Sequence, residues 1–229
     1  MIISNTKASR YLAVPVPLAL AILMISLCLF NESAFGVEEN IQAPHGISID
    51  PSDYMYLTDA YNFIQKFDSN GTFIMGFGSA GSESGKLDDP HGIAVDSSGF
   101  IYVVDTGNNR VQKFDSEGNF LIGWGSDGTE EGQFSHPHDV AVDSSGKVYV
   151  GDHWNSNVQK FDSDGNFITK WGSPGYEDGQ FGHNHYLDVD SDNNIYVTDP
   201  GFEKDPDNED AGFVQKFNND SKLVAKMVD

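Results

Sequence analysis

Seven histidines are the residues of this chain best suited to chemistry, and four of them recur on a nearly fixed spacing. His45, His91, His138 and His185 lie 46, 47 and 47 residues apart. Neutral imidazole is the commonest metal ligand near physiological pH. Several imidazoles converging from separate elements would suit zinc or another divalent transition metal (copper, iron, nickel) rather than calcium. His136 and His183 each stand two residues before a recurring histidine, and His153 follows Asp152. Duplication of one ancestral unit accounts for the recurring histidines without any metal, but not for these additional ones.

The elements that must position these side chains follow from the period itself. A repeat of 46–47 residues marks a propeller or an array. Within the stretch Pro90–Gly125, strands are expected around Gly92–Asp96, at Ile101–Val104, at Val111–Phe114 and at Phe120–Trp124. The turns between them carry DSSG, TGNN and DSEG, whose Asp, Ser, Asn and Gly supply reversal chemistry. Ile101–Val104 is apolar throughout, as expected of a strand covered on both faces. The expected fold is all-β: a β-propeller of four four-stranded blades over residues 45–229, closed as a ring or left as an open arc, with the four-bladed ring preferred. No strand is left over to latch such a ring across its seam. Because strands alternate in direction, the linker into strand one and the turn after strand two share a face. All seven histidines are therefore expected on that face, the recurring ones around the mouth of a central channel.

The fragments P-x-G-I-A-V-D, V-x-D-T-G-N-N-R and Q-K-F-D resemble the NHL repeat family, and the likeness covers nearly everything after the leader. NHL repeats form propeller blades, so the resemblance implies the same fold. More distantly the chain resembles the peptidyl-α-hydroxyglycine α-amidating lyases, NHL-like propellers that hold zinc with histidines in this kind of position. They also use a tyrosine and an arginine near the metal. Tyr61 falls where that tyrosine is expected, and this would make it a catalytic residue. Ala60, Thr106, His153 and Pro200 stand where the arginine is expected, and Arg110 belongs to the repeat pattern. The resemblance thus carries an alternative reading as a metal-dependent lyase or hydrolase.

A ligand site is also expected on the histidine face. His153-Trp154 replaces the Thr106-Gly107 pair of the preceding unit with bulky groups, and Thr106 and Asn108 complete the candidate set. The fitting ligand is an extracellular protein, peptide or glycan, which makes a binding module the leading function. A structural envelope protein is the third reading. Asp162–Asn166 has the look of a calcium loop, but it matches the turn at Asp115–Gly118 and lacks the later bidentate glutamate. Phe77, Trp124 and Trp171 occupy one place in successive units and read as packing between blades. In the fourth unit the turn after strand two is an acidic insertion, Pro200–Gly212, and the last strand lacks the aromatic.

Acidic residues number 35 against 13 basic ones, a formal charge of −22 that repels phosphate backbones and excludes nucleic acid as a natural partner. Lys7 and Arg10 precede the uncharged apolar stretch Tyr11–Phe30. Residues 1–36 therefore read as a signal peptide or N-terminal membrane anchor, followed by a linker over 37–44. Small residues near Ala34-Phe35-Gly36 would suit a signal peptidase. Either outcome places the propeller outside the cell or at its surface, with membrane contact only through the N-terminal segment. Cys28 is the one cysteine and lies in the leader, so no disulfide staples the domain. Pairing with a second chain as a homodimer is a further expectation.

Overall fold

Turn chemistry cuts the chain into strands. Asp96 Oδ1 accepts from the Ser98 and Phe100 amides at 2.8 and 3.0 Å, an Asx turn that reverses the backbone. Asp162 Oδ1 does the same for the Asp164 and Asn166 amides, so the calcium-like run is a reversing turn. Between such turns the β-branched and aromatic runs pair as antiparallel strands.

The computed structural model describes residues 41, 43–200 and 212–228, and among them no helix is long and apolar enough to cross a membrane. The leader, Cys28 and most of the acidic insertion lie outside the described residues.

The described residues form four four-stranded antiparallel sheets, each built from one repeat in chain order. Blade 1 is β1 (Pro44–Ile49), β2 (Met55–Asp59), β3 (Phe63–Phe67) and β4 (Phe73–Phe77). Blade 2 is β5 (Pro90–Val95), β6 (Ile101–Asp105), β7 (Arg110–Phe114) and β8 (Phe120–Trp124). Blade 3 is β9 (Pro137–Val142), β10 (Val148–Asp152), β11 (Asn157–Phe161) and β12 (Phe167–Trp171). Blade 4 is β13 (Tyr186–Val189), β14 (Ile195–Asp199), β15 (Phe213–Phe217) and β16 (Leu223–Val228).

The apolar core lies between blades. Tyr56, Ile64 and Phe77 of blade 1 meet Ile93, Ile101, Val103 and Phe114 of blade 2. Val104 and Val111 of blade 2 meet Val140, Val148 and Val150 of blade 3. Tyr149 and Val158 of blade 3 meet Leu187, Ile195 and Val197 of blade 4. Burying both sheet faces in this way is why β6 and β10 are buried at every position.

Polar struts repeat with the blades. The aspartate ending strand two is buried and holds the linker into its own blade: Asp105 Oδ1 accepts from the Asp88 amide at 2.7 Å, and Asp152 Oδ1 from Ser135 at 2.9 Å. The glutamine of Q-K-F supports it, with Gln112 Nε2 donating to Asp105 Oδ2 at 2.9 Å. Arg110 is structural too: its Nε donates to Asp105 Oδ2 at 2.6 Å, and its other nitrogens donate to the carbonyls of Ser82, Glu83 and Lys86.

Inner strands pack in sequence, β1 on β5, β5 on β9 and β9 on β13. No apolar core joins blade 4 to blade 1 among the described residues. Ile93, Val140 and Leu187 open the apolar part of their inner strands and are 4, 3 and 8% exposed, whereas Ile47 at the same place in β1 is 60% exposed. The preferred closed ring is therefore not what the described residues form; they make the open arc. The physical reason is that every sheet takes all its strands from one repeat, so no strand ties the fourth blade to the first.

Candidate functional site

Each recurring histidine is the second residue of an inner strand or sits immediately before one. In the first three blades the residue two positions earlier is left-handed: Ala43, Asp89 and His136, with φ of 43, 49 and 53°. The preceding blade fixes that backbone, because Asn62 Oδ1 accepts from the Asp89 amide and Asn109 Oδ1 from the His136 amide, both at 2.7 Å. The asparagines of the turn after strand two thus set the entry into the next inner strand.

The seven imidazoles form one contiguous cluster. Ring centroids are 4.2 Å apart for His45–His91, 4.4 Å for His91–His138 and 4.7 Å for His138–His185. His153 lies 4.9 Å from His185, 4.5 Å from His183 and 5.7 Å from His138. His136 completes the group at 5.9 Å from His153, and Trp154 stacks on it at 4.6 Å. Trp154 is otherwise open to solvent. Beside the cluster the inner strands line a cavity of about 380 Å³, walled by His45, His91, His138 and His185 with Asp139 and Tyr186.

Burial, and the neighbouring rings after it, favour the neutral form of His91, His138, His153 and His185. Burial, then the neighbouring His91, His185 and His153, push His138 down to about 3. Burial, then His183 and His185, push His153 down to about 4. Burial also lowers His91 against the opposing pull of Asp89, and lowers His185. A hydrogen bond joins two members of the cluster, His91 Nδ1 to His138 Nε2 at 2.9 Å, one nitrogen donating and the other accepting. Nδ1 of His136, His138 and His153 is buried and makes no hydrogen bond of ordinary geometry, while the backbone of His185 and of Asn184 lies close enough to favour the protonated forms of His138 and His153. Buried ring nitrogens without a partner are costly unless something else fills their lone pairs. The donor atoms of His136, His138 and His153 do not come together within 4.8 Å as a set of three. At the other end of the cluster His45, Asp89 and His91 offer donor atoms within 4.8 Å of one another.

The remaining candidates divide. Trp154 and His153 belong to the cluster. Thr106 and Asn108 are both engaged in hydrogen bonds within the fold. Thr106 is buried and its hydroxyl donates to the Pro137 carbonyl at 2.8 Å, tying blade 2 to blade 3. Asn108 Nδ2 donates to the Gly81 carbonyl and to both oxygens of Asp105. Tyr61 is exposed in the turn after β2, its amide donating to Asp59 Oδ1 at 2.9 Å, and it makes no ring contact with the histidines among the described residues.

Sequence reasoning missed two carboxylates. Asp89 Oδ2 stands 3.4 Å from His91 Nε2. Asp139 replaces the glycine of Gly46 and Gly92 in the repeat, accepts from the Val140 and Leu187 amides at 2.9 and 2.8 Å, and is pushed up to about 7 by burial. Aligning the repeat openings PHG, PHG, PHD would have exposed the second.

Comparisons with known proteins agree with the blades. Residues 87–114 and 134–161 match the NHL repeat, and no curated protein matches the chain. Among solved structures, Kuenenia stuttgartiensis hydrazine synthase is similar at 10% identity and a TM-score of 0.63, covering 86% of this chain and 52% of that one. A streptogramin B lyase structure is similar at 18% identity and a TM-score of 0.61, covering 82% and 55%. A Bacteroides caccae protein of unknown function follows at 10% identity and a TM-score of 0.55, covering 81% and 60%. This chain therefore spans little more than half the length of those proteins, and at such identities the likeness concerns the fold. Four four-stranded sheets in sequence, with the NHL repeat matched at residues 87–114 and 134–161 in blades 2 and 3, give this chain a β-propeller-type fold that contains NHL repeats.

Proposed function

We propose that this propeller is an exported binding module whose histidine rim holds a divalent transition-metal ion, zinc being the type case, and with it engages an extracellular protein, peptide or glycan. The observation that carries the reading is the group His45, Asp89 and His91, whose donor atoms lie within 4.8 Å of one another at one end of a cluster of imidazoles. Neutral rings are the ligand form, and burial lowers His91 towards it against the opposing pull of Asp89. Exposed Trp154 stacked on His136 supports ligand engagement at the same rim, since an aromatic face left in water invites a ring or an apolar side chain. Export rests on the apolar leader. A lyase activity would use the same metal. The resemblance to a streptogramin B lyase supports a propeller fold for it, but the isolation of Tyr61 leaves it without its expected partner.

The test is metal titration by calorimetry on chelator-treated protein, with zinc, nickel and copper each as probe. One site of micromolar affinity or better is expected, weakened at least tenfold in a His45→Ala, His91→Ala double variant whose circular dichroism is unchanged. Binding no stronger than that of a propeller with its rim histidines removed would refute the reading.

A further inference from the structure

We propose that the open faces of blades 1 and 4 dock on each other between two copies of this chain, head to tail, by repeating the interface that already joins its blades. The argument is a set of complementary halves left unmatched at opposite ends of the arc. At the three internal junctions Ile93, Val140 and Leu187, each two residues after the recurring histidine, pack on the preceding blade. Ile93 reaches Gly46 of blade 1, where an added Cβ would lie 3.2 Å from Ile93 Cγ2, and at Gly92 of blade 2 an added Cβ would meet Asp139 and, at 2.9 Å, the Val140 backbone nitrogen. Ile47 is the fourth such plug and is 60% exposed. The matching socket on blade 4 is an open groove of about 420 Å³ lined by Tyr186, Thr198, Val214 and Met227. Met227 occupies the register of Phe77 opposite strand three, yet is 45% exposed where Phe77 is 8%.

Two further halves agree. Gly118 and Gly165 sit in the turn before strand four of blades 2 and 3, and a Cβ on either would fall within 2.7 Å of Phe77 or Trp124 of the blade before. Gly71, their counterpart in blade 1, has nothing within 4 Å. The lysine of Q-K-F crosses to that same turn in the next blade: Lys66 donates to the Ser116 carbonyl, Lys113 to Ser163 at 2.9 Å, and Lys160 to Asn219 at 2.9 Å. Lys216 of blade 4 instead pairs with Asp190 of its own sheet at 3.3 Å. In a docked pair its acceptor is the Ser69 carbonyl of the other copy. Plug, turn glycine and lysine all lack their mate at one end of the arc, and the other end carries it. A second copy of this chain is the partner whose surface supplies these three halves, with Tyr186 standing in the blade 4 socket where blades 1 and 2 carry Gly46 and Gly92. Such a heterologous contact closes into a ring if the rotations sum to a full turn and extends as a chain if they do not.

The test uses disulfide trapping in the full-length chain, with Cys28→Ser to clear the one native thiol. One version carries Ile47→Cys and another Tyr186→Cys, the positions equivalent to Ile93 and Gly46. Mixed under mild oxidation, the two are expected to give a species of twice the chain mass, and neither version alone is expected to do so. No cross-link in the mixture, or equal cross-linking of either version by itself, would overturn the proposal. A single chain carrying both cysteines adds a check, since an internal bond at monomer mass would mean the arc closes on itself and would also overturn it.

Discussion

At the scale of single residues, the cluster sets histidines against carboxylates in their pH response. His138 and His153 fall from 6.5 to about 3 and about 4 on folding. A base with a depressed folded value binds fewer protons in the native state, so its contribution is complete above about pH 6.5 and drains as pH falls towards those values. Asp139 and Asp152, raised to about 7 and about 6 chiefly by burial, act in the opposite sense. They favour the folded state at low pH and cost stability as pH rises through the folded value. The two sets partly cancel in the wild-type protein. Replacing His138 and His153 by glutamine removes one side of the balance. In chelator, the double variant is expected to gain on the wild-type protein as pH is lowered from 8 to 5, by up to about tenfold in folding constant per pH unit per group. Urea denaturation at several pH values reads this directly, and a gap that stays constant across the range would contradict it.

At the scale of the element, the strand-two aspartate is the strut on which each turn depends. Asp105 gathers the Asp88 amide, Asn108, Arg110 and Gln112 around one buried carboxylate. Asp105→Ala leaves the guanidinium and an amide without their acceptor, and breaking a buried charge pair in this way costs about 3–5 kcal/mol. The urea midpoint should fall accordingly, whereas Asp115→Ala in an exposed turn should move it far less. The same strut explains which parts of the site were legible in the sequence. The period, the blade boundaries and the histidines at each inner strand follow from spacing alone. Thr106 and Asn108 read as an open turn because their sequence is polar and glycine-rich. Long-range acceptors, Pro137 for one and Asp105 with Gly81 for the other, take both side chains inward. Spacing carries no information about such partners. Asp139 was hidden for a related reason: its significance lies in being an exception to the repeat, visible only when the copies are compared residue by residue.

At the scale of the whole molecule, stability passes from blade to blade through neighbours, as in other repeat architectures. The central strands β6 and β10 are buried along their whole length, while β1 is exposed or half-buried at every position. An isolated arc would therefore open first at its ends. Head-to-tail docking changes that expectation in a specific way, because β1 would then be covered by blade 4 of another copy. A substitution on β16, which no residue of β1 meets within the described chain, becomes able to loosen β1. Met227→Asp places a charge in the blade 4 groove and leaves the sequence of blade 1 untouched. Hydrogen exchange on the full chain at a concentration that supports assembly should show β1 amides exchanging at least tenfold faster in this variant, a change of about 1.4 kcal/mol in local opening. The amides of β6 and β10 should keep their rates, since their covering blades are internal. Unchanged β1 rates would mean that the charge is felt only within its own blade, and the two ends of the arc would then be energetically independent.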